Sequence, residues 1–134
     1  MKLNIISEMV SGQRCIVVDD SVVRGTTTRA KMDQLRAAGA KEIHLRISCP
    51  PIRHPCYFGI DFAEPTQLIA HERSVEQIRD LLGVDSLHFL SLGGLLGAVD
   101  SRDLSSNNYC TACYSGQYPI EVPNGVSKES LTSC

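Results

Sequence analysis

Cys15-Ile16-Val17-Val18 is an unbroken apolar run that ends in Asp19-Asp20. Such a run, closed by charge, predicts a strand buried on both faces, the habit of parallel sheets. Ser21 to Thr28 follows as a loop, with Gly25 at its turn and Thr26, Thr27 and Thr28 as possible hydroxyl caps for a helix. Met32, Leu35 and Ala38 then recur at helical spacing, so a helix is predicted over 28–38, with Gly39 just past its end. Ile43, Leu45, Ile47 and Cys49 alternate with His44, Arg46 and Ser48, which predicts a strand. Strand, helix and strand in that order make a βαβ unit, so the fold class is α/β with a parallel sheet.

Pro50-Pro51 closes the second strand, and 50–66 reads as a loop holding Pro55, Cys56 and Gly59. Ser74 and Gln77 stand at capping-box spacing, and Val75, Ile78, Leu81 and Leu82 predict one apolar stripe along the helix that follows, closed by Gly83. Leu87 to Leu90 predicts a short strand, and 91–99 a short glycine-bearing helix. Beyond Tyr118 the chain turns polar around two prolines, so 1–118 is read as one domain and 119–134 as a mobile tail.

Composition narrows the classes. The 134 residues are 43 % apolar and 21 % charged, ordinary values for a soluble globular domain. A net charge of −2 argues against a dedicated nucleic-acid binder, which would carry a basic surplus. No apolar run approaches the ~20 residues that span a bilayer. Met1-Lys2-Leu3-Asn4 opens no secretory signal. A cytoplasmic protein without a membrane partner is therefore expected, and there the six cysteines read as metal ligands, catalytic groups or buried residues rather than as disulfides.

Asp19 and Asp20 end the first strand, and ligands of open α/β sheets bind in the crevice beyond strand ends. The loop after them offers backbone amides around Gly25 and the hydroxyls of Thr26, Thr27 and Thr28, directly before a helix N-terminus. Oriented N–H donors at the positive end of a helix dipole are the chemistry of a phosphate cradle. Adjacent carboxylates hold Mg²⁺ or accept hydrogen bonds from vicinal sugar hydroxyls. An isolated acid pair is more often a solvated strand end, and threonines more often only cap a helix. Here apolar strand, acid pair, glycine turn and hydroxyl run coincide in one stretch, which points to a ligand bearing both a ribose and a phosphate.

Cys15-Ile16-Val17-Val18-Asp19-Asp20-Ser21-Val22-Val23-Arg24-Gly25-Thr26-Thr27 resembles the phosphoribosyl pyrophosphate (PRPP) motif of type I phosphoribosyltransferases. Its Ser-x-Val-Arg-Gly-Thr-Thr form is similar to that of the amidophosphoribosyltransferase family, the glutamine PRPP amidotransferases that open purine synthesis. The likeness continues through Phe58-Gly59-Ile60-Asp61, Gln67-Leu68-Ile69-Ala70, Asp85-Ser86-Leu87 and Cys110 to Pro119. It implies a type I phosphoribosyltransferase-like parallel sheet, incomplete in this chain. It also implies that Asp19 and Asp20 contact the ribose hydroxyls and help hold Mg²⁺ on PRPP, and that Ser21, Arg24, Gly25, Thr26, Thr27 and Thr28 wrap the 5′-phosphate. Displacing pyrophosphate from an anomeric carbon passes through an oxocarbenium-like state, in which Mg²⁺ neutralises the leaving group and positioning supplies much of the remainder, so no side chain here needs to be a nucleophile. Lys2-Leu3-Asn4 resembles the end of the family's flexible loop, where a lysine meets pyrophosphate; a solvated terminal lysine is an equal reading.

Family members also carry an N-terminal glutaminase domain, opening transferase strands, a pyrophosphate loop and a further Mg²⁺ residue, and none of these matches this chain. The sequence therefore resembles the C-terminal part of such an enzyme, expected to be inactive alone and to expose an apolar sheet edge that promotes aggregation. Glutamine as second substrate and a homotetramer are further implications of the resemblance.

Cys110-Thr111-Ala112-Cys113 sets two thiols at a spacing that suits shared metal coordination, a redox pair or chance. Some members of the resembled family carry a [4Fe–4S] cluster on four cysteines. The resemblance gives Cys56, Cys110 and Cys113 that role, with the fourth ligand upstream. Cys15 and Cys49 fall on strand positions predicted to be buried, and Cys134 lies in the tail. His54, beside Cys56, reads as a loop histidine rather than a ligand, and no H-x-E exists for a zinc deaminase. Two other readings stay open: a non-catalytic PRPP-binding regulatory module, and a small cysteine-based metal protein.

Overall fold

A computed structural model of the chain describes residues 5–60, 64–99 and 109–122. Strands β1 (Arg14–Asp19), β2 (Glu42–Ile47) and β3 (Ser86–Phe89) lie side by side in that order, each neighbouring pair parallel. Parallel neighbours cannot be joined by a tight turn, and each connection carries a helix. These are α2 (Thr26–Ala37) between β1 and β2, and α3 (Val75–Leu82) between β2 and β3. A one-turn α1 (Ser7–Val10) precedes the sheet, and α4 (Leu92–Val99) and α5 (Ala112–Ser115) follow it. The α/β class and the parallel βαβ unit are those that the periodicity predicts.

The alternation of β2 drives Ile43, Leu45 and Ile47 into one face, where Met32 of α2 and Ile78 and Leu82 of α3 meet them, all buried. Val22 and Cys49 reach the same core from the loops at the strand ends. His44 and Arg46 point to the opposite face, where each makes a hydrogen bond with Ser86 Oγ across to β3, at 2.9 and 3.0 Å. Asp85, just before β3, accepts from the Ile43 N–H at 2.6 Å and from the Arg36 guanidinium, so one carboxylate ties α2, β2 and the start of β3. The Ile43 N–H, then the Arg36 charge, hold that carboxyl below its ordinary range against the opposing push of burial.

Three expectations need correction. β1 is not buried on both faces: Cys15 and Val17 are half-buried, but Ile16 and Val18 are each 72 % exposed. Residues of α2 and α3 pack into the core with Ile43 and Leu45, leaving the Ile16–Val18 side open among the described residues. An apolar run specifies two apolar faces, and the parts of this chain described here cover one of them. Leu81 leaves the stripe of α3 at 48 % exposure, while Ile78 and Leu82 are buried. Helical residues advance by about 100° each, which keeps Val75, Ile78 and Leu82 together and turns Leu81 away. Finally, α2 starts at Thr26, two residues early, and its N-cap is Gly25, with no side-chain cap bond from any threonine.

The capping box is present as predicted: Ser74 Oγ accepts the Gln77 N–H at 3.3 Å, and Gln77 Oε1 accepts the Ser74 N–H at 2.8 Å. Among its described residues, the loop over 50–66 is without regular structure until a 3-10 turn at Pro65–Gln67, which the sequence reading did not anticipate; α1 and α5 were likewise unanticipated. Lys2, Leu3, Asn4, Asp61, Cys134 and all of the expected tail beyond 122 lie outside the described residues.

Candidate functional site

β1 delivers two carboxylates to the C-terminal edge of the sheet, and they are held differently. Asp19 is half-buried; its Oδ1 accepts the Asp20 N–H at 3.1 Å and its Oδ2 lies 3.5 Å from Lys31 Nζ. Asp20 is exposed, and its Oδ1 accepts the Ser21 N–H at 2.6 Å and approaches Ser21 Oγ at 3.4 Å. The Ser48 N–H donates to the Asp19 carbonyl at 3.0 Å, which fixes the end of β1 against the end of β2.

The loop that follows is anchored from both sides. Val22 plugs into the core at 2 % exposure. The Val23 carbonyl accepts the Ile69 N–H at 2.8 Å, and Arg24 Nε donates to Gln67 Oε1 at 3.1 Å. Gly25 turns the chain into α2 with φ +80, a left-handed conformation that suits glycine. A Cβ on Gly25 would stand 2.4 Å from Ile69 Cδ1, so the turn also needs the missing side chain for room. Because no side chain caps α2, the first-turn N–H groups face the loop at the positive end of the helix dipole.

A cavity of about 430 Å³ opens there. Asp19, Asp20, Ser21, Arg24, Gly25, Thr26, Thr27 and Thr28, all singled out from sequence, line it together. Val23, Ile60 and Lys31 line it too and were missed. Lys31 follows Thr28 by three residues, so the two share a helix face, and that spacing was the available signal. The cavity offers hard carboxylate oxygens, hydroxyls, two cations and a helix N-terminus, a donor set matched to a phosphorylated sugar. Among the described residues, no group of three or more His, Cys, Asp or Glu side chains is set to hold a metal ion. Asp19 and Asp20 nevertheless fit Mg²⁺ in kind, because that ion commonly binds through one or two carboxylates, with phosphate oxygens of the ligand completing its shell.

The cysteines gather at a second place. The carbonyl of Cys113, in α5, accepts the N–H groups of Arg53 and His54, each at 3.0 Å. Tyr118 Oη donates to the Pro55 carbonyl at 2.8 Å, and the Tyr57 and Tyr118 rings lie 5.2 Å apart. These contacts knit the loop around Cys56 to the segment bearing Cys110 and Cys113. Burial pushes the Cys113 thiol up, and the negative forms of Cys56 and Cys110 add to it. Burial likewise raises Tyr114 and Tyr118 to about 12. His54 is shifted down, first by burial and then by the charges of His71 and Arg53. Thiols are the right donors for an iron–sulfur group, but Cys56, Cys110 and Cys113 are not grouped as a ready metal site among the described residues. Cys49 is buried and Cys15 half-buried, in keeping with their reading as core residues.

No protein-family model matches the chain. Individual relatives do. The amidophosphoribosyltransferase of Synechococcus elongatus is 47 % identical over 98 % of this chain and 26 % of its own length. That of Bacillus subtilis is 49 % identical over 91 % of this chain and 26 % of its own. The solved structure of the B. subtilis glutamine PRPP amidotransferase, complexed with ADP and GMP, superposes with a TM-score of 0.84 at 46 % identity, over 95 % of this chain and 28 % of that one. A solved structure described as the allosteric regulatory enzyme of purine biosynthesis gives 0.82 at 46 % identity, over 90 % and 26 %. This chain therefore spans about a quarter of the length of the relatives it matches. By sequence and by fold, the chain is homologous to a part of the amidophosphoribosyltransferases.

Proposed function

We propose that this chain forms the PRPP site of an amidophosphoribosyltransferase, which makes 5-phosphoribosylamine from PRPP and glutamine at the start of de novo purine (IMP) biosynthesis. The observation that carries this reading is the cavity at the end of β1, where the acid pair, the Gly25 turn and the first turn of α2 meet. The amides and hydroxyls of Thr26, Thr27 and Thr28 hold the 5′-phosphate, and Arg24 pairs with it. Asp19 and Asp20 receive the ribose hydroxyls. Mg²⁺, when bound, neutralises the pyrophosphate leaving group. The chain's own share is to fix the anomeric carbon while the nitrogen nucleophile arrives from a glutaminase site elsewhere in the longer enzyme. The isolated chain is accordingly a binder that forms no phosphoribosylamine. In this reading 1–118 is the transferase part and 119–134 a tail, and the full enzyme is a cytoplasmic tetramer.

Isothermal titration of the 134-residue chain with PRPP and Mg²⁺ tests the reading. Saturable binding tighter than about 1 mM is expected, the range of ordinary substrate sites. Absence of heat at ten times that concentration overturns it.

The cysteine neighbourhood belongs to the same reading. In the longer enzyme, Cys56, Cys110 and Cys113 ligate a [4Fe–4S] cluster with a fourth cysteine from outside this chain, a structural rather than a catalytic group. The support is the set of hydrogen bonds that ties the Cys56 loop to the segment bearing Cys110 and Cys113. Full-length enzyme purified without oxygen should contain iron and acid-labile sulfide in equal amounts; protein devoid of iron sinks the assignment.

A further inference from the structure

Lys31 was not among the residues that sequence reasoning singled out, yet its Nζ lies 3.5 Å from Asp19 Oδ2 and its side chain lines the cavity. We propose that Lys31 is a positioning residue of the phosphoribosyl site, holding Asp19 in place and balancing its charge, so that Asp20 is the more freely presented of the two carboxylates that meet the ligand. This inference rests on the reading of the cavity as a phosphate-and-ribose site.

Three observations carry it. Both oxygens of Asp19 have a partner, Oδ1 the Asp20 N–H at 3.1 Å and Oδ2 the Lys31 ammonium at 3.5 Å, which biases the side chain toward one orientation. Asp20, by contrast, has only Oδ1 engaged by Ser21 and is exposed toward the cavity it lines. The adjacent acids are therefore not equivalent, although nothing in the dipeptide distinguishes them. Charge supplies the third observation. Among the described lining residues the cations are Arg24 and Lys31 and the anions Asp19 and Asp20, so the wall is neutral. Without Lys31 it would carry a net negative charge toward a polyanionic ligand, and the repulsion would act across a cleft of lower effective dielectric than water.

The two consequences have opposite signs. Removing the ammonium weakens capture of a sugar phosphate, but it frees Asp19 Oδ2 and so strengthens capture of a bare divalent cation. A merely structural lysine would not produce that pair of effects.

The experiment uses the 134-residue chain as wild type, Lys31→Met and Lys31→Arg, titrated separately with ribose 5-phosphate and with Mn²⁺. The expected result for Lys31→Met is about tenfold weaker binding of ribose 5-phosphate, the size of one charge-assisted contact. Mn²⁺ binding should tighten by several-fold in the same variant, and Lys31→Arg should restore both toward wild type. Equal ribose 5-phosphate affinity in wild type and Lys31→Met overturns this inference while leaving the site reading intact. Parallel weakening of both ligands overturns it too, because it signals loss of structure. A wild-type chain that does not bind ribose 5-phosphate overturns the site reading itself, and this inference with it.

Discussion

Gly25→Ala is expected to abolish measurable PRPP binding and to lower the stability of the chain by about 2–3 kcal/mol. Two costs add. The residue holds φ +80, where a side chain on an L-residue costs roughly 1–2 kcal/mol. Its Cβ would also crowd the terminal methyl of Ile69, and because Ile69 is buried, that side chain has to shift within a packed surrounding. The φ change at Gly25 acts on the same turn whose Val23 carbonyl accepts the Ile69 N–H, so the loop that faces the ligand is displaced with it. Urea denaturation followed by circular dichroism reads the loss of stability, and calorimetric titration at low temperature, where the variant stays folded, reads the loss of binding. Wild-type stability together with wild-type binding would show that the turn tolerates a side chain.

Asp20→Asn separates charge from shape. Asparagine keeps an oxygen for the Ser21 N–H, which Asp20 Oδ1 now accepts at 2.6 Å, so the loop should keep its path. What disappears is a charged acceptor on an exposed side chain at the mouth of the cavity. Hydrogen bonds to a charged group contribute about 1.5–3 kcal/mol each, and losing that charge against two vicinal hydroxyls should weaken PRPP binding roughly a hundredfold. Stability should change by less than about 0.5 kcal/mol, as for most exposed substitutions. Calorimetric titration with PRPP and Mg²⁺ checks the prediction; a loss smaller than threefold would remove Asp20 from the site.

The parts of this molecule that were readable beforehand are those whose cause lies within a few residues. Ser74, Gln77 and Gly83 specify both ends of α3 by contacts no longer than one turn, and the structure has them as the spacing predicts. The alternation through Ile43, Leu45 and Ile47 likewise sets the face of β2 without outside help. The polar residues and the glycine that line the cavity from Asp19 to Thr28 were legible because they share one short stretch, though Val23 within it was not singled out. Lys31 was not, because its meaning depends on Asp19, which only the docking of α2 against the end of β1 brings near. Exposure of Ile16 and Val18 was equally hidden: an apolar side chain does not say which other segment covers it. Ile60 enters the cavity from a loop that carries no periodic pattern at all.

The brace between the Val23–Gly25 turn and residues 67–69 has a thermodynamic meaning beyond geometry. Arg24 and Gln67 are 43 residues apart in sequence, so their contact closes a long loop and forms only when the intervening chain has docked. Local opening of the segment around Ile69 and occupation of the cavity are then linked equilibria that draw on the same contacts. A ligand that holds the turn slows the release of that segment, and by reciprocity anything that loosens the segment acts as a competitor of the ligand without touching it. Sequence variation at 67–69 is thus a means of tuning affinity from outside the binding surface.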